Sequence, residues 1–221
     1  MMKKKALWID HIPAILTATM IVAFAIWRQQ SFLKTLPTLI TLVVQVLNAH
    51  ADRRTFLLGA ANSLLYGFSY YSEGVYFSMI SAVAISAPMQ VYTFFSWKRH
   101  SHGKNTELKF LGVRRVLIVL GLILAVWGVF CLLPFFRSGS FPAVDALSFV
   151  VGNAVTLLVA RRYVDSQFFG MANCLIGLIL WILLAIKDPS NLNYVVISAY
   201  NLFRVTEAAI LWLRATKGEE I

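Results

Sequence analysis

Four carboxamides sit inside hydrophobic stretches of this chain at matched spacings. Gln90 follows Asn62 at an offset of 28, Asn201 follows Asn173 at the same offset, and the second pair repeats the first at an offset of 111. A carboxamide carries two N–H donors and an acceptor but has no proton to exchange at neutral pH, so it recognises polar edges rather than breaking bonds. Aromatic residues keep the same register, because Tyr70 and Trp181 each stand eight positions past an asparagine. Asn62, Tyr66 and Tyr70 follow at i, i+4, i+8, one continuous helical face; Gly170, Asn173, Gly177 and Trp181 line another. Ser86, Gln90, Thr93 and Trp97 recur at similar spacing, with Pro88 loosening the turn around Gln90. Amides for edges and rings for faces describe a site for a planar, polar solute.

An amide in an apolar helix can equally bond a neighbouring helix, for about 0.6 to 2 kcal/mol. The recurrence of the amides in both halves of the chain favours a shared ligand. Tyr200, Arg204 and Glu207 accompany Asn201 in the last apolar stretch. A charge at mid-helix costs about 2.5 to 3.5 kcal/mol on insertion scales, so Arg204 and Glu207 must face protein or a wet cavity. Three residues apart, they can pair as an internal lock or meet a substrate. The candidate substrate-binding set is therefore Asn62, Tyr66, Tyr70, Gln90, Asn173, Trp181, Tyr200, Asn201, Arg204 and Glu207.

No pattern for bond-making chemistry accompanies this set. GxxxxGK[ST], HExxH, GxSxG and paired CxxC motifs are absent from the sequence. The histidines His11, His50, His100 and His102 fall near segment ends or in a basic loop, and Cys131 and Cys174 fall in apolar stretches as buried thiols. The expectation is a protein that is not an enzyme and holds no cofactor or metal.

The elements that position these residues are membrane spans. The chain has 221 residues, 59% hydrophobic and 14% charged, with a mean hydropathy of +0.71, more apolar surface than a soluble domain can hide. Eight spans are expected: Ile12–Trp27, Phe32–Ala49, Thr55–Tyr71, Val75–Trp97, Val116–Phe136, Phe141–Ala160, Tyr163–Ile186 and Asn193–Leu213. The second is the weakest, diluted by Lys34, Thr38, Gln45 and Asn48. The first follows Lys3-Lys4-Lys5 like a signal peptide, but Arg28 and the next apolar run favour a retained helix.

Arg53-Arg54 and Arg161-Arg162 match at an offset of 108, as do Gln45 and Asn153, with three extra residues after the second arginine pair. A three-helix unit has been duplicated. One linker helix between the copies leaves them parallel, giving an all-α, 1 + (3+1+3) architecture. The expected parts are an appended helix (1–31), a first repeat (32–97), a basic loop with linker helix (98–140), a second repeat (141–214) and a tail (215–221). Asp145 and Glu73 are expected at the membrane interface. Fifteen Lys and Arg fall on one side of this topology against four on the other, which places both termini in the cytoplasm of a multi-pass plasma-membrane protein. The same clustering between apolar runs argues against nucleic acid as the partner of the +10 charge.

At these residues the chain resembles the Pnu family of vitamin transporters, whose best-known members carry nicotinamide riboside. The second half matches through Asp145, Arg161-Arg162-Tyr163-Val164-Asp165 and Asn173, and the first through Pro88-Met89-Gln90-Val91-Tyr92 and Trp97. The resemblance covers Leu36 to Trp212. It implies two three-helix bundles as in SWEET sugar transporters, facilitated diffusion with alternating access, and trapping of the vitamin by a cytoplasmic kinase. It maps binding residues onto Asn62, Gln90, Asn173 and Asn201 with neighbouring aromatics. Gln167 and Gly170 stand where tryptophans are expected, and Thr93-Phe94 replaces a Gly-Trp pair. Thiamine, riboflavin or a nucleoside therefore stay open as substrates, as does a vitamin-binding subunit that needs an energising partner. A homo-oligomer is compatible with this reading.

Overall fold

In hydrocarbon each backbone N–H and C=O must be satisfied within its own segment, so apolar runs of this length fold as helices. The computed structural model describes residues 2–99, 101–102, 105–106, 108–132 and 139–216. Eight helices run through them: α1 (Met2–Trp27), α2 (Phe32–Ala49), α3 (Arg54–Ser72), α4 (Tyr76–Arg99), α5 (Val113–Leu132), α6 (Pro142–Ala160), α7 (Ser166–Lys187) and α8 (Leu192–Ala215). Strands β1 (Ser101–His102) and β2 (Asn105–Thr106) pair antiparallel in the loop before α5. Six helical stretches are long and apolar enough to cross a membrane: α2, α4, α5, α6, α7 and Pro189–Arg214, which adds a 3-10 turn to α8. The apolar part of α1, His11–Trp27, is shorter, and α3 is not among the six. The helix weakest by composition is thus α3, which carries the site residues, rather than α2.

Several expected boundaries move. The seventh segment starts at Ser166, not Tyr163, because Arg162 takes a left-handed φ of 65° and Tyr163 bridges Lys109 instead of entering the helix. Lys109 N–H donates to Arg162 O at 3.0 Å and Val164 N–H to Lys109 O at 2.9 Å, pinning the loop between the halves. Phe141, at φ 51°, precedes α6 rather than opening it, with Pro142 preset for the first helical turn. The end of the fifth segment, 133–136, lies outside the described residues, as do loop residues His100, Gly103 and Lys104 and tail residues 217–221. Within α4, Ser81–Ser86 forms a π-helical turn just ahead of Pro88. The proline lacks the N–H that would continue the ladder and its ring crowds the carbonyl four residues back, so the widened turn falls there.

Asp145, in the first turn of α6, is buried rather than exposed to solvent. It is 1% exposed, and its carboxylate accepts Phe77 N–H at 2.9 Å, Ser78 N–H at 3.0 Å and the Ser78 hydroxyl at 2.5 Å. It satisfies the first-turn donors of α4 from a different helix, where the helix dipole favours a negative charge.

The helices close into a ring, in which α2 packs on α3, α3 on α4, α4 on α6, α6 on α7, α7 on α8 and α8 on α2. α1 lies against α2 and α8, with Ile21 fully buried, and α5 packs chiefly along α6. At one end two tryptophans join the halves. Trp97 of α4 donates to Val159 O of α6 at 3.1 Å, and Trp212 of α8 donates to Asn48 O of α2 at 3.3 Å. Both are fully buried and their rings lie 5.7 Å apart among Phe56 and Val164. Lipid offers an indole N–H no partner, and each finds a helix-end carbonyl that also accepts a backbone N–H.

Candidate functional site

The ring of helices leaves a cavity of about 150 Å³ among α2, α3, α6, α7 and α8. Its lining includes Tyr66 and Tyr70 from α3, Asn173 and Trp181 from α7, and Asn201 from α8. Half of the expected set is therefore brought together. Asn62, Gln90, Tyr200, Arg204 and Glu207 are not in the lining, while Thr41, Ser148, Cys174, Gly177, Ile197 and Ser198 complete it. Cys174 is only partly buried, and so is Cys131; both are free thiols rather than the core residues expected.

Aromatic rings form one wall. Tyr70 stacks between Tyr66, at 5.6 Å and 27°, and Trp181, at 5.9 Å and 23°. Trp181 in turn stacks on Tyr194 at 4.1 Å and 18°. Such offset pairs contribute about 0.5 to 1.5 kcal/mol each beyond their buried area. Tyr194 was missed in the sequence, although a signal existed, because Tyr194, Ser198 and Asn201 recur at i, i+4, i+7 on the face α8 turns inward. Its hydroxyl donates to Lys34 O at 3.1 Å. There the Lys34–Glu73 ion pair, at 2.6 Å, and a 2.9 Å bond from Asn191 Nδ2 to Glu73 tie α2, α3 and the start of α8 together.

The amides differ in how far the protein satisfies them. Asn62, 5% exposed, donates to Thr41 Oγ1 at 2.8 Å, and Thr41 also reaches the Tyr66 hydroxyl at 3.2 Å. Gln90 Nε2 donates to Ser63 Oγ at 2.9 Å, and its Oε1 fills the space a β-carbon at Gly59 would need. Gln90 thus works as a bolt between α3 and α4. Asn173 rests on Gly152 of α6, 3.5 Å from where a β-carbon would sit. The Oδ1 atoms of Asn62, Asn173 and Asn201 are buried and have no hydrogen-bond partner among the described residues. Each buried acceptor left unpaired costs about 1 to 3 kcal/mol, so the two on the cavity-lining Asn173 and Asn201 favour a donor-bearing ligand.

Arg204 is 1% exposed and pairs with Glu207 through Nη1 at 2.6 Å. Its Nε and Nη2 have no hydrogen-bond partner among the described residues. Among the described residues no cluster of His, Cys, Asp and Glu could hold a metal. The arrangement can bind and enclose a solute, and nothing in it supplies a nucleophile with its base.

Three comparisons bear on this arrangement. The sequence matches the family described as nicotinamide mononucleotide transporter over residues 31–214. The fold superposes on the crystal structure of the vitamin B3 transporter PnuC with a TM-score of 0.83, covering 95% of this chain and 92% of that chain at 17% identity. No curated protein sequence matches the chain.

Proposed function

The chain belongs to the nicotinamide mononucleotide transporter family, a family of multi-pass membrane proteins, and from that premise we propose that it takes up a B-vitamin-type, nicotinamide riboside-like solute by facilitated diffusion. The observation that carries this reading is the pair of unpaired amide oxygens on the cavity-lining Asn173 and Asn201 beside the Tyr66–Tyr70–Trp181–Tyr194 stack. A pyridine carboxamide or a ribose offers the donors those oxygens lack, and its ring can slide against the aromatic wall. Small-molecule sites are commonly about 300 to 1,000 Å³. The 150 Å³ present here holds a single ring, so the whole solute enters only as the stack parts.

Alternating access would suit a duplicated build, in which six of eight spans form two parallel three-helix repeats that rock about the site. The tryptophan pair closes the end nearest the basic loops, and the Lys34–Glu73–Asn191 cluster closes the other. The basic loops place both termini in the cytoplasm of a plasma-membrane protein. A cytoplasmic vitamin kinase then traps the product, since uniport alone only equilibrates concentrations. Asn173 and Asn201 would hold ligand edges, with Asn62 behind the Thr41–Tyr66 wall, Gln90 bolting α3 to α4, and Tyr200 and the Arg204–Glu207 pair bracing α8 beside them.

Liposomes containing the purified protein should equilibrate labelled nicotinamide riboside without ATP or an ion gradient. Asn173→Ala should weaken uptake more than Ser190→Ala, and equal effects of the two changes would remove the site assignment. A thermal-shift panel with thiamine, riboflavin and nucleosides identifies the solute by selective stabilisation. Binding without flux would point instead to a vitamin-binding subunit that needs an energising partner.

A further inference from the structure

A groove of about 580 Å³ lies outside the ring, between α5 and α6. Its walls are apolar, and of the six helical stretches able to cross a membrane α5 is the least buried. Ile118, Leu122 and Val126 recur at i, i+4, i+8 on α5, and Leu157 faces them from α6. Ile118 is 53% exposed, Leu122 59% and Leu157 50%, so the protein itself does not fill the groove.

One end differs. Arg115, in the first turn of α5, and Arg161, which ends α6, both line the groove there. Both are exposed and neither has an ion-pair partner among the described residues. Arg114, Arg162 and Lys109 stand close in sequence, with Glu107 and Asp165 as the nearby acids; Asp165 Oδ2 is engaged by Leu111 N–H at 2.6 Å. From Arg115 to Val126 the groove follows eleven residues of helix, about 17 Å at 1.5 Å per residue. Half of a bilayer core measures about 15 Å. The groove is one leaflet long, greasy along its length and positive at its mouth.

We propose that this groove binds an anionic glycerophospholipid of the leaflet facing the basic loops. An acyl chain lies along Ile118, Leu122 and Val126, and the phosphate is held by Arg115 and Arg161. Guanidinium groups recognise phosphate oxygens in paired hydrogen bonds, and a basic pocket between spans on that side attracts acidic headgroups. The lipid fills the space along α5 that joins the halves. This site rests on the membrane-spanning reading but not on the identity of the solute.

The test titrates delipidated, detergent-purified full-length protein with phosphatidylglycerol, phosphatidylcholine or inorganic phosphate, read by native mass spectrometry and thermal shift. Phosphatidylglycerol should bind at least tenfold tighter than phosphatidylcholine. Arg115→Gln combined with Arg161→Gln should abolish that preference without lowering the lipid-free melting temperature, and Leu122→Trp, which fills the groove, should weaken both lipids. Equal binding of the two lipids, a preference that survives the double change, or the same stabilisation by inorganic phosphate alone would each overturn the proposal. So would cross-linking of Ile118→Cys between two copies, which would identify the occupant as a second protomer. Solute equilibration measured on the same preparations reports the transport reading separately, so either can fail without the other.

Discussion

At three positions matched by the offset of 111, the first half of the chain engages its polar groups within itself, and the second leaves an amide open. Gln90 is held by Ser63, and Thr93 donates to Met89 O at 2.6 Å. At the equivalent positions of the second half stand Asn201 for Gln90, Cys174 for Ser63 and Arg204 for Thr93. Asn201 Oδ1 is unpaired among the described residues, and Asn201 and Cys174 line the same cavity. A thiol is a weak acceptor and a weak donor, so sulfur in place of the serine oxygen that accepts from Gln90 holds the amide opposite it less well. The three pairs share the offset of 111, and the exchange of side chains at them separates a position that braces the scaffold from one that lines the cavity.

The largest effect should come from the most asymmetric pair. Glu207→Gln leaves Arg204 buried without its carboxylate, and breaking a buried ion pair costs about 3 to 5 kcal/mol. Thr93→Val, at the equivalent place in the first half, removes only an intrahelical bond and should cost about 1 kcal/mol. Thermal unfolding in detergent compares the two variants. Similar losses would mean that the halves are equally braced.

Next in size is a contrast between affinity and stability. Gly59→Ala drives a methyl group into Gln90 and should cost about 1 to 3 kcal/mol of stability by overpacking. Gly152→Ala meets Asn173 at ordinary contact distance, so it should leave the melting temperature near wild type and shift solute affinity instead. Cys174→Ser should go further by giving Asn201 a hydroxyl partner, which weakens solute binding severalfold while stabilising the empty protein. Calorimetric titration beside thermal shift separates the outcomes, and a Cys174→Ser protein with unchanged affinity would break the argument from sulfur.

Much of the scaffold was readable because lipid allows so few solutions. Long apolar runs between basic loops must be helices, and all eight expected segments coincide with one. The matched amides were readable too, since their offset of 111 stands in the sequence itself. Facing was not readable. Periodicity gives a helix its stripe but not its neighbour, so Gln90 and Asn173 looked alike although one bolts α3 to α4 and the other lines the cavity. Asp145 reads as an interfacial acid near a helix start, and only the approach of α4 makes it a buried cap. Tyr163 continued an apolar run, yet two backbone hydrogen bonds from the connecting loop took it out of the helix.

The smallest expected effect probes the place where the halves are most alike. Trp97 and Trp212 each donate across the boundary between halves, to Val159 O and Asn48 O, carbonyls that keep the same offset as the amide pairs. Phe keeps most of the ring but removes the N–H, so Trp97→Phe and Trp212→Phe should each cost about 1 kcal/mol. Because the rings touch at 5.7 Å, the two changes share an environment and should couple rather than add. If that end opens during transport, losing either bond favours the open form and should raise the exchange rate of labelled solute alongside the small loss of stability. Equal gains from the two variants would fit a symmetric seal. A gain from Trp97→Phe alone would show that the first half, closed at its amides, is nevertheless the half that moves.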